Sequence, residues 1–341
     1  MLKKLFIFIV LSVFVCSSCQ KKSETSDPEQ SKNLQTLLAD YWRDQEAFDT
    51  FSATSRGSTQ YNAIFSNDLS QSFIAKRDSF RLAYYTELMK INRGALDEND
   101  RISFDILKRN FEMQEEAKKF HPELVPIHQF WGTHLTFMQF GSGESDQPFK
   151  SSVDYQNFLG RINGFTIWAD TAIANMRKGM AQGYVLPKSL VKKVIPQMYE
   201  QVVTDPKKSL FYGPINKMPD SLSADEKARI SAAYEKAIKE KLVPTFKKLG
   251  DFFQNEYLPK ARLTSGVDAL PNGKENYQYW IRYWTTTDRS AEEIHELGLS
   301  EVARIRGEME KIRTQVGYKG DLKSFFKYVT EDPKFCIFKT P

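Results

Sequence analysis

Cysteine and histidine are the scarce residues of this chain. Of its three cysteines, Cys16 and Cys19 lie close to the N-terminus, which leaves Cys336 alone in the body of the chain. No internal disulfide can form beyond Cys19, so the fold must be held by packing. Cys336, between Phe335 and Ile337, reads as an inert buried thiol rather than a nucleophile. Four histidines leave little with which to bind a metal. A helical zinc hydrolase site places two imidazoles one turn apart, with a glutamate beside the first to work on the bound water. His295-Glu296 supplies half of that pattern, but Leu299 and Ser300 stand where the second histidine would be. His295 therefore reads as a first-turn packing or hydrogen-bonding residue. His121, His128 and His134 are spaced around Pro122 and Pro126 so that they share no helix face, and they read as structural histidines of a loop.

Other signals are missing too. Gly141-Ser142-Gly143 is neither a nucleophile elbow nor a phosphate loop and reads as a flexible turn. Glu115/Glu116 and Glu292/Glu293 fall on polar helix faces as solvated pairs. The excess of positive charge is only +5, with basic residues spread among acids, so nucleic-acid binding has no electrostatic support.

Long apolar runs are also absent, with one exception. Residues 5–15 are apolar apart from Ser12, follow Lys3 and Lys4, and are too few to span a bilayer comfortably. Ser17, Ser18 and Cys19 come next, the pattern of a lipobox cysteine, although Cys16 stands where an aliphatic residue is usual. Residues 1–18 are thus a lipoprotein signal peptide and Cys19 the lipidation site. A lipid there would hold the chain on a membrane surface, facing the periplasm or the cell exterior, without spanning it.

What is present is helix upon helix. Residues 19–33 are polar, contain Pro28 and read as a flexible spacer from the lipid. Beyond them, residues 34–341 form one all-α domain of long amphipathic helices. Apolar residues recur at three- and four-residue spacing over 34–48, 70–91 and 97–120, for example Phe104, Leu107 and Phe111. Ser151 with Asp154, Ser223 with Glu226 and Ser290 with Glu293 have capping-box spacing and predict three helix starts. Pro244 interrupts a helical track running from Ile230 to Tyr257 and predicts a kink or a restart. Residues 219–223 and 263–274 read as loops. At the C-terminus, Thr340-Pro341 resembles a helix start, and the domain is expected to be incomplete there, as in a truncated chain. Helix faces left bare by the missing part would form an apolar patch.

The segment from Tyr277 to Trp284 holds five aromatics in eight residues. Helical geometry puts Tyr277, Trp280, Ile281 and Trp284 on one stripe, which reads as core. Tyr279, Arg282 and Tyr283 fall on another side, where phenols and a guanidinium could bind a carboxylate. These three, together with His134, are the candidate substrate contacts.

Several segments taken in order resemble a known family. They include Phe104-Asp-Ile-Leu107, Gly132-Thr-His134-Leu135, Phe211-Tyr212-Gly213-Pro214, Tyr257-Leu258-Pro259, Leu270-Pro271-Asn-Gly273, Thr285-Thr-Thr287-Asp288, Glu293-Ile294-His295 and Asp332-Pro333-Lys-Phe335. Their order and spacing are similar to the domain of unknown function 885 family, common among bacterial lipoproteins. The resemblance implies the front portion of a zincin-like helical metallopeptidase fold and peptides as substrates. It also implies zinc as the cofactor of a full-length parent, bound by a segment that this sequence does not reach. No catalytic or metal-ligating residue can be carried over, so the chain itself is expected to be an inactive part of a zinc-dependent peptidase. A non-catalytic peptide-binding or scaffold lipoprotein of the cell envelope is the alternative.

Overall fold

Helices account for nearly all regular structure in the computed structural model, which describes residues 26–335 and 338. The expected signal peptide, the lipidation site Cys19, Cys336 and the pair Thr340-Pro341 lie outside the described residues. Among these there is no strand, only an isolated bridge between Pro187 and Arg262. No described helix is long and apolar enough to cross a membrane. The described chain forms two compact units that divide after Pro271, where the sequence suggested a single domain over 34–341.

The first unit begins with helix α1 (Pro28–Asp44), six residues earlier than expected and inside the expected spacer. Asp27 accepts a hydrogen bond from the Glu29 amide, and Pro28 occupies the first helical turn, where its missing N–H costs nothing. The proline that suggested a loop is a helix starter. α2 (Thr50–Ser55), α3 (Gln71–Leu88) and α4 (Glu98–Ala117) follow. Leu34, Leu88, Leu96, Phe104, Leu107 and Phe111 bury a small core among α1, α3 and α4.

A second, larger core lies around α6 (Ser152–Gln182), the 31-residue helix opened by the Ser151–Asp154 capping box. Tyr155, Phe158, Ile162, Phe165, Trp168, Ala172 and Met176 recur every three or four residues and are fully buried. Each large apolar side chain among them contributes about 1.5–3 kcal/mol relative to exposure. α5 (Thr133–Gly141), α7 (Lys188–Tyr199), α8 (Gly213–Asn216), α9 (Ala224–Ala237) and α10 (Val243–Asp251) complete the unit. The Ser223–Glu226 capping box opens α9 as expected. Pro244 lies in the first turn of α10, and the preceding Ile238–Leu242 widens into a π-helical stretch, so the missing hydrogen bond is absorbed without breaking the track. Gly141 and Gly143 are not a slack turn. A Cβ on Gly141 would run into Phe158 and Phe211, and Gly143 has a positive φ of 80°.

The second unit contains α11 (Gly273–Thr285), α12 (Ala291–Gln315) and α13 (Leu322–Glu331). The Ser290–Glu293 capping box opens α12, as expected. None of the 25 residues of α12 is buried, and Leu297, Leu299, Val302, Ile305 and Ile312 are exposed.

Candidate functional site

The first unit contains a polar cleft bordered by α3, α4 and the loop leading into α5. Two adjoining cavities, of about 410 and 720 Å3, share Asp68, Arg77, Arg81, Gln114 and Thr133 as wall residues. This size suits a small-molecule or short-peptide ligand. Ile74, Val125 and Trp131 add an apolar side to the larger cavity.

Arg77 and Arg81 are one turn apart on α3, so their Cβ atoms lie about 5–6 Å from each other on one face. Burial and the Arg77 charge together pull the Arg81 pKa below its ordinary value, while Tyr41, Asp78 and Glu115 pull it back. Among the described residues no carboxylate lies at ion-pair distance from either guanidinium, and the nearby acids are shared with other groups. Asp78 meets Lys118 at 3.1 Å, and Glu115 pairs with the same lysine. Glu123, also on the wall, faces His121 Nδ1 at 3.1 Å. Asp68 accepts a hydrogen bond from Trp168 Nε1 at 2.8 Å. Burial raises its carboxyl pKa above the ordinary value, against the lowering effects of that bond and of Arg77. Three polar wall atoms are buried without a hydrogen-bond partner: the donor Arg77 Nε and the acceptors Asp78 Oδ1 and Gln114 Oε1. Buried polar groups are nearly always satisfied, so an orphan donor and orphan acceptors in one cleft form a ready receptor for a polar ligand.

Another depression, of about 610 Å3 beside α6 and α10, is also charged but holds no such vacancy. There Arg177 pairs with Glu256, Lys247 with Asp251 and Lys248 with Asp170, each at 2.6 Å.

The framework behind the cleft depends on Arg161 of α6, which is completely buried and has no carboxylate partner. Its Nε donates to the Asn62 carbonyl at 2.8 Å. Nη2 donates to Thr54 Oγ1 at 2.6 Å and to the carbonyls of Thr50 and Tyr61, each at 3.1 Å. The guanidinium lies 4.5 Å from the Phe51 ring centre and 5.4 Å from that of Phe140. Burial lowers its pKa to about 10, still well within the charged range.

The sequence-predicted residues are distributed differently. His134 belongs to the first unit, in the first turn of α5, and is fully buried with both ring nitrogens unpartnered. Burial first, and the His128 charge second, lower its pKa to about 3. The neighbouring Gly132 and Thr133 line the cleft, but the His134 ring is closed off from solvent. Tyr279, Arg282 and Tyr283 lie together on α11 in the second unit, with the two tyrosine rings 6.0 Å apart. The aromatic stripe departs from expectation at its aromatics but not at Ile281, which is buried as expected, and on the other side Tyr283 is exposed. Tyr277, Trp280 and Trp284, read as core, are 50%, 40% and 70% exposed, whereas Tyr279 and Ile281 are buried. Periodicity shows which residues share a face, not which face is covered. His295, expected to pack, is exposed on α12. His128 Nδ1 accepts the amides of Phe130 and Trp131, at the long distance of 3.4 Å, as a loop-ordering residue.

Arg77 and Arg81 were not among the sequence candidates. The available signal was two arginines four residues apart with no acid on the intervening turn except Asp78. That pattern looks like an ordinary solvated face until Lys118 is seen to occupy the acid.

Among the described residues, no three His, Cys, Asp or Glu side chains are placed to hold one metal ion. The zinc implied by the family resemblance therefore finds no fitting donor set in them, and no hydrolytic step is assigned to them.

The family model described as "Bacterial protein of unknown function (DUF885)" matches residues 51–341. No curated protein matches the chain. A solved structure, described as "The crystal structure of the putative lipoprotein from Colwellia psychrerythraea", is similar at a TM-score of 0.75 and 20% identity. The match covers 89% of this chain and 55% of that one, so the chain spans about half the length of its structural relative. At this identity the likeness is one of fold.

Proposed function

Since the chain belongs to the DUF885 family of bacterial proteins, we propose that it is the peptide-binding helical part of an exported, lipid-anchored protein. Peptide hydrolysis with zinc-activated water is, in this reading, the activity of a family-length protein, and this chain binds peptides without cleaving them. The observation that carries the reading is the cleft of the first unit. It combines an apolar side with two guanidiniums that have no carboxylate at ion-pair distance among the described residues and with orphan acceptors, an arrangement suited to a ligand both amphipathic and polar along its backbone. Anchoring through Cys19 rests on the sequence around it. The description of the Colwellia relative as a lipoprotein is consistent with that anchoring.

A scaffold role in the cell envelope is the second reading, favoured by the exposed apolar residues of α12. Titration with mixed tri- and tetrapeptides, followed by calorimetry, tests the first reading. Saturable binding with no new amino termini released is expected. Failure of every peptide to bind would leave the scaffold role. Turnover by the chain with about one tightly held zinc would contradict the assignment of a purely binding role.

A further inference from the structure

We infer that Arg77, Arg81 and Gln114 form a subsite for the C-terminal carboxylate of a peptide. The inference rests on the peptide-binding reading above and adds which end of the peptide is recognised.

The argument is one of matching vacancies. Arg77 and Arg81 project from the same face of α3 as like charges, an arrangement that costs the isolated protein stability. Asp68, Asp78 and Glu115 offset that cost only in part, because Asp78 and Glu115 are shared with Lys118, Asp68 with Trp168, and no described carboxylate lies at ion-pair distance from either guanidinium. A bound anion would offset the rest. Guanidiniums suit carboxylates because their N–H groups form a fork matched to two oxygens.

Carboxylate and phosphate would both satisfy the arginines, and Gln114 together with the apolar wall favours the peptide terminus. Its unpartnered Oε1 is an acceptor, and it lines the same cavities as the pair. A peptide terminus presents a carboxylate and, on the same residue, an amide N–H. It offers acceptors to Arg77 and Arg81 and a donor to Gln114. A phosphate ion could also offer Gln114 a P–OH donor, but it has no apolar group to place against the rest of the wall. The apolar side chains of Trp131, Ile74 and Val125 on the same cavity wall would then contact the terminal side chains.

The test uses the full chain and two forms of one fluorescently N-labelled peptide, Ala-Ala-Leu-Phe, with a free or an amidated C-terminus. Anisotropy titration is expected to show at least tenfold weaker binding of the amide. Arg77→Gln and Arg81→Gln should each weaken the free acid at least tenfold while leaving amide binding within about twofold. Asp68→Asn, which keeps an acceptor for Trp168, should tighten the free acid because an opposing charge is gone. Equal binding of acid and amide by the unaltered protein would overturn the carboxylate subsite and leave the peptide reading standing. Binding of neither would overturn the peptide reading and the subsite with it. Displacement of the peptide by inorganic phosphate tenfold more effectively than by N-acetyl-phenylalanine would overturn the carboxylate assignment in favour of a phosphate site.

Discussion

Replacing Arg161 by alanine should cost the first unit about 3–5 kcal/mol, the scale of losing one member of a buried charged network. The structure shows where that cost arises. Four hydrogen bonds from a charged donor disappear, each with a net contribution of about 1.5–3 kcal/mol when counted alone. The carbonyls of Thr50, Tyr61 and Asn62 lose a buried partner, and the Phe51 and Phe140 rings lose the cation between them. Opposing this, a desolvated charge without a carboxylate is removed, which returns several kcal/mol. The sum is therefore well below the sum of the hydrogen bonds. Arg161→Met separates the contributions, because methionine keeps much of the volume but neither the charge nor the donors. If carbonyl satisfaction dominates, methionine costs nearly as much as alanine; if charge burial dominates, methionine is neutral or stabilising. Urea unfolding followed through Trp168, which is buried in the same core, reads the difference. With a slope of about 3 kcal/mol per M, the alanine variant should shift the midpoint down by about 1–1.7 M. A shift below about 0.3 M with an unchanged slope would show that water or relaxation satisfies those carbonyls and that Arg161 does not hold the 50–62 segment.

Other consequences can be checked with the same material. His134 is neutral in the folded chain down to about pH 3, whereas its unfolded counterpart takes up a proton near 6.5. Stability should therefore fall as pH drops through that window, by up to about 1.4 kcal/mol per unit. His128 acts in the same direction, and Asp68, with its raised carboxyl pKa, acts in the opposite one. Melting from pH 7 to 4.5 should show a steeper loss for the unaltered protein than for His134→Leu, and parallel slopes would contradict it. Arg81→Gln should leave stability unchanged or raise it by about 0.2–0.5 kcal/mol by relieving a like-charge pair, and a clear loss in urea unfolding would mean the arginine is structural. Gly164→Ala would place a Cβ 2.7 Å from the Phe65 carbonyl oxygen and should cost about 1–3 kcal/mol, read by the same unfolding curve. The uncovered residues of α12 should bind a hydrophobic dye, and Val302→Lys with Ile305→Lys should remove most of that fluorescence.

Much of the fold could be read from local chemistry. All three capping boxes mark real helix starts, and the periodic apolar residues of α4 are the ones that fill its core. These signals act over a few residues and do not depend on what packs where. The first helix was misjudged because Pro28 is compatible both with a loop and with an N-terminal turn, and only the Asp27 cap decides. The candidate site was less legible, for a physical reason. Whether Arg77 and Arg81 gain direct ion pairs depends on Lys118, some 40 residues away in sequence, pairing with Asp78 and Glu115 instead. Arg161 is similar: its partners lie about 100 residues distant, mostly as backbone carbonyls, which carry no residue-type signature. On α11 burial does not follow the two stripes: Ile281 is buried as expected, but so is Tyr279, while Tyr277, Trp280 and Trp284 are exposed.

The claim at the centre of this account is that peptides bind in the cleft of the first unit. Hydrogen–deuterium exchange of the chain with and without saturating peptide tests it most directly. Protection is predicted in Gln71–Leu88 and in residues 122–133, with little change around residues 244–256, where the charges are already paired. Unchanged exchange in α3 and in the loop before α5, with protection appearing elsewhere, would contradict it.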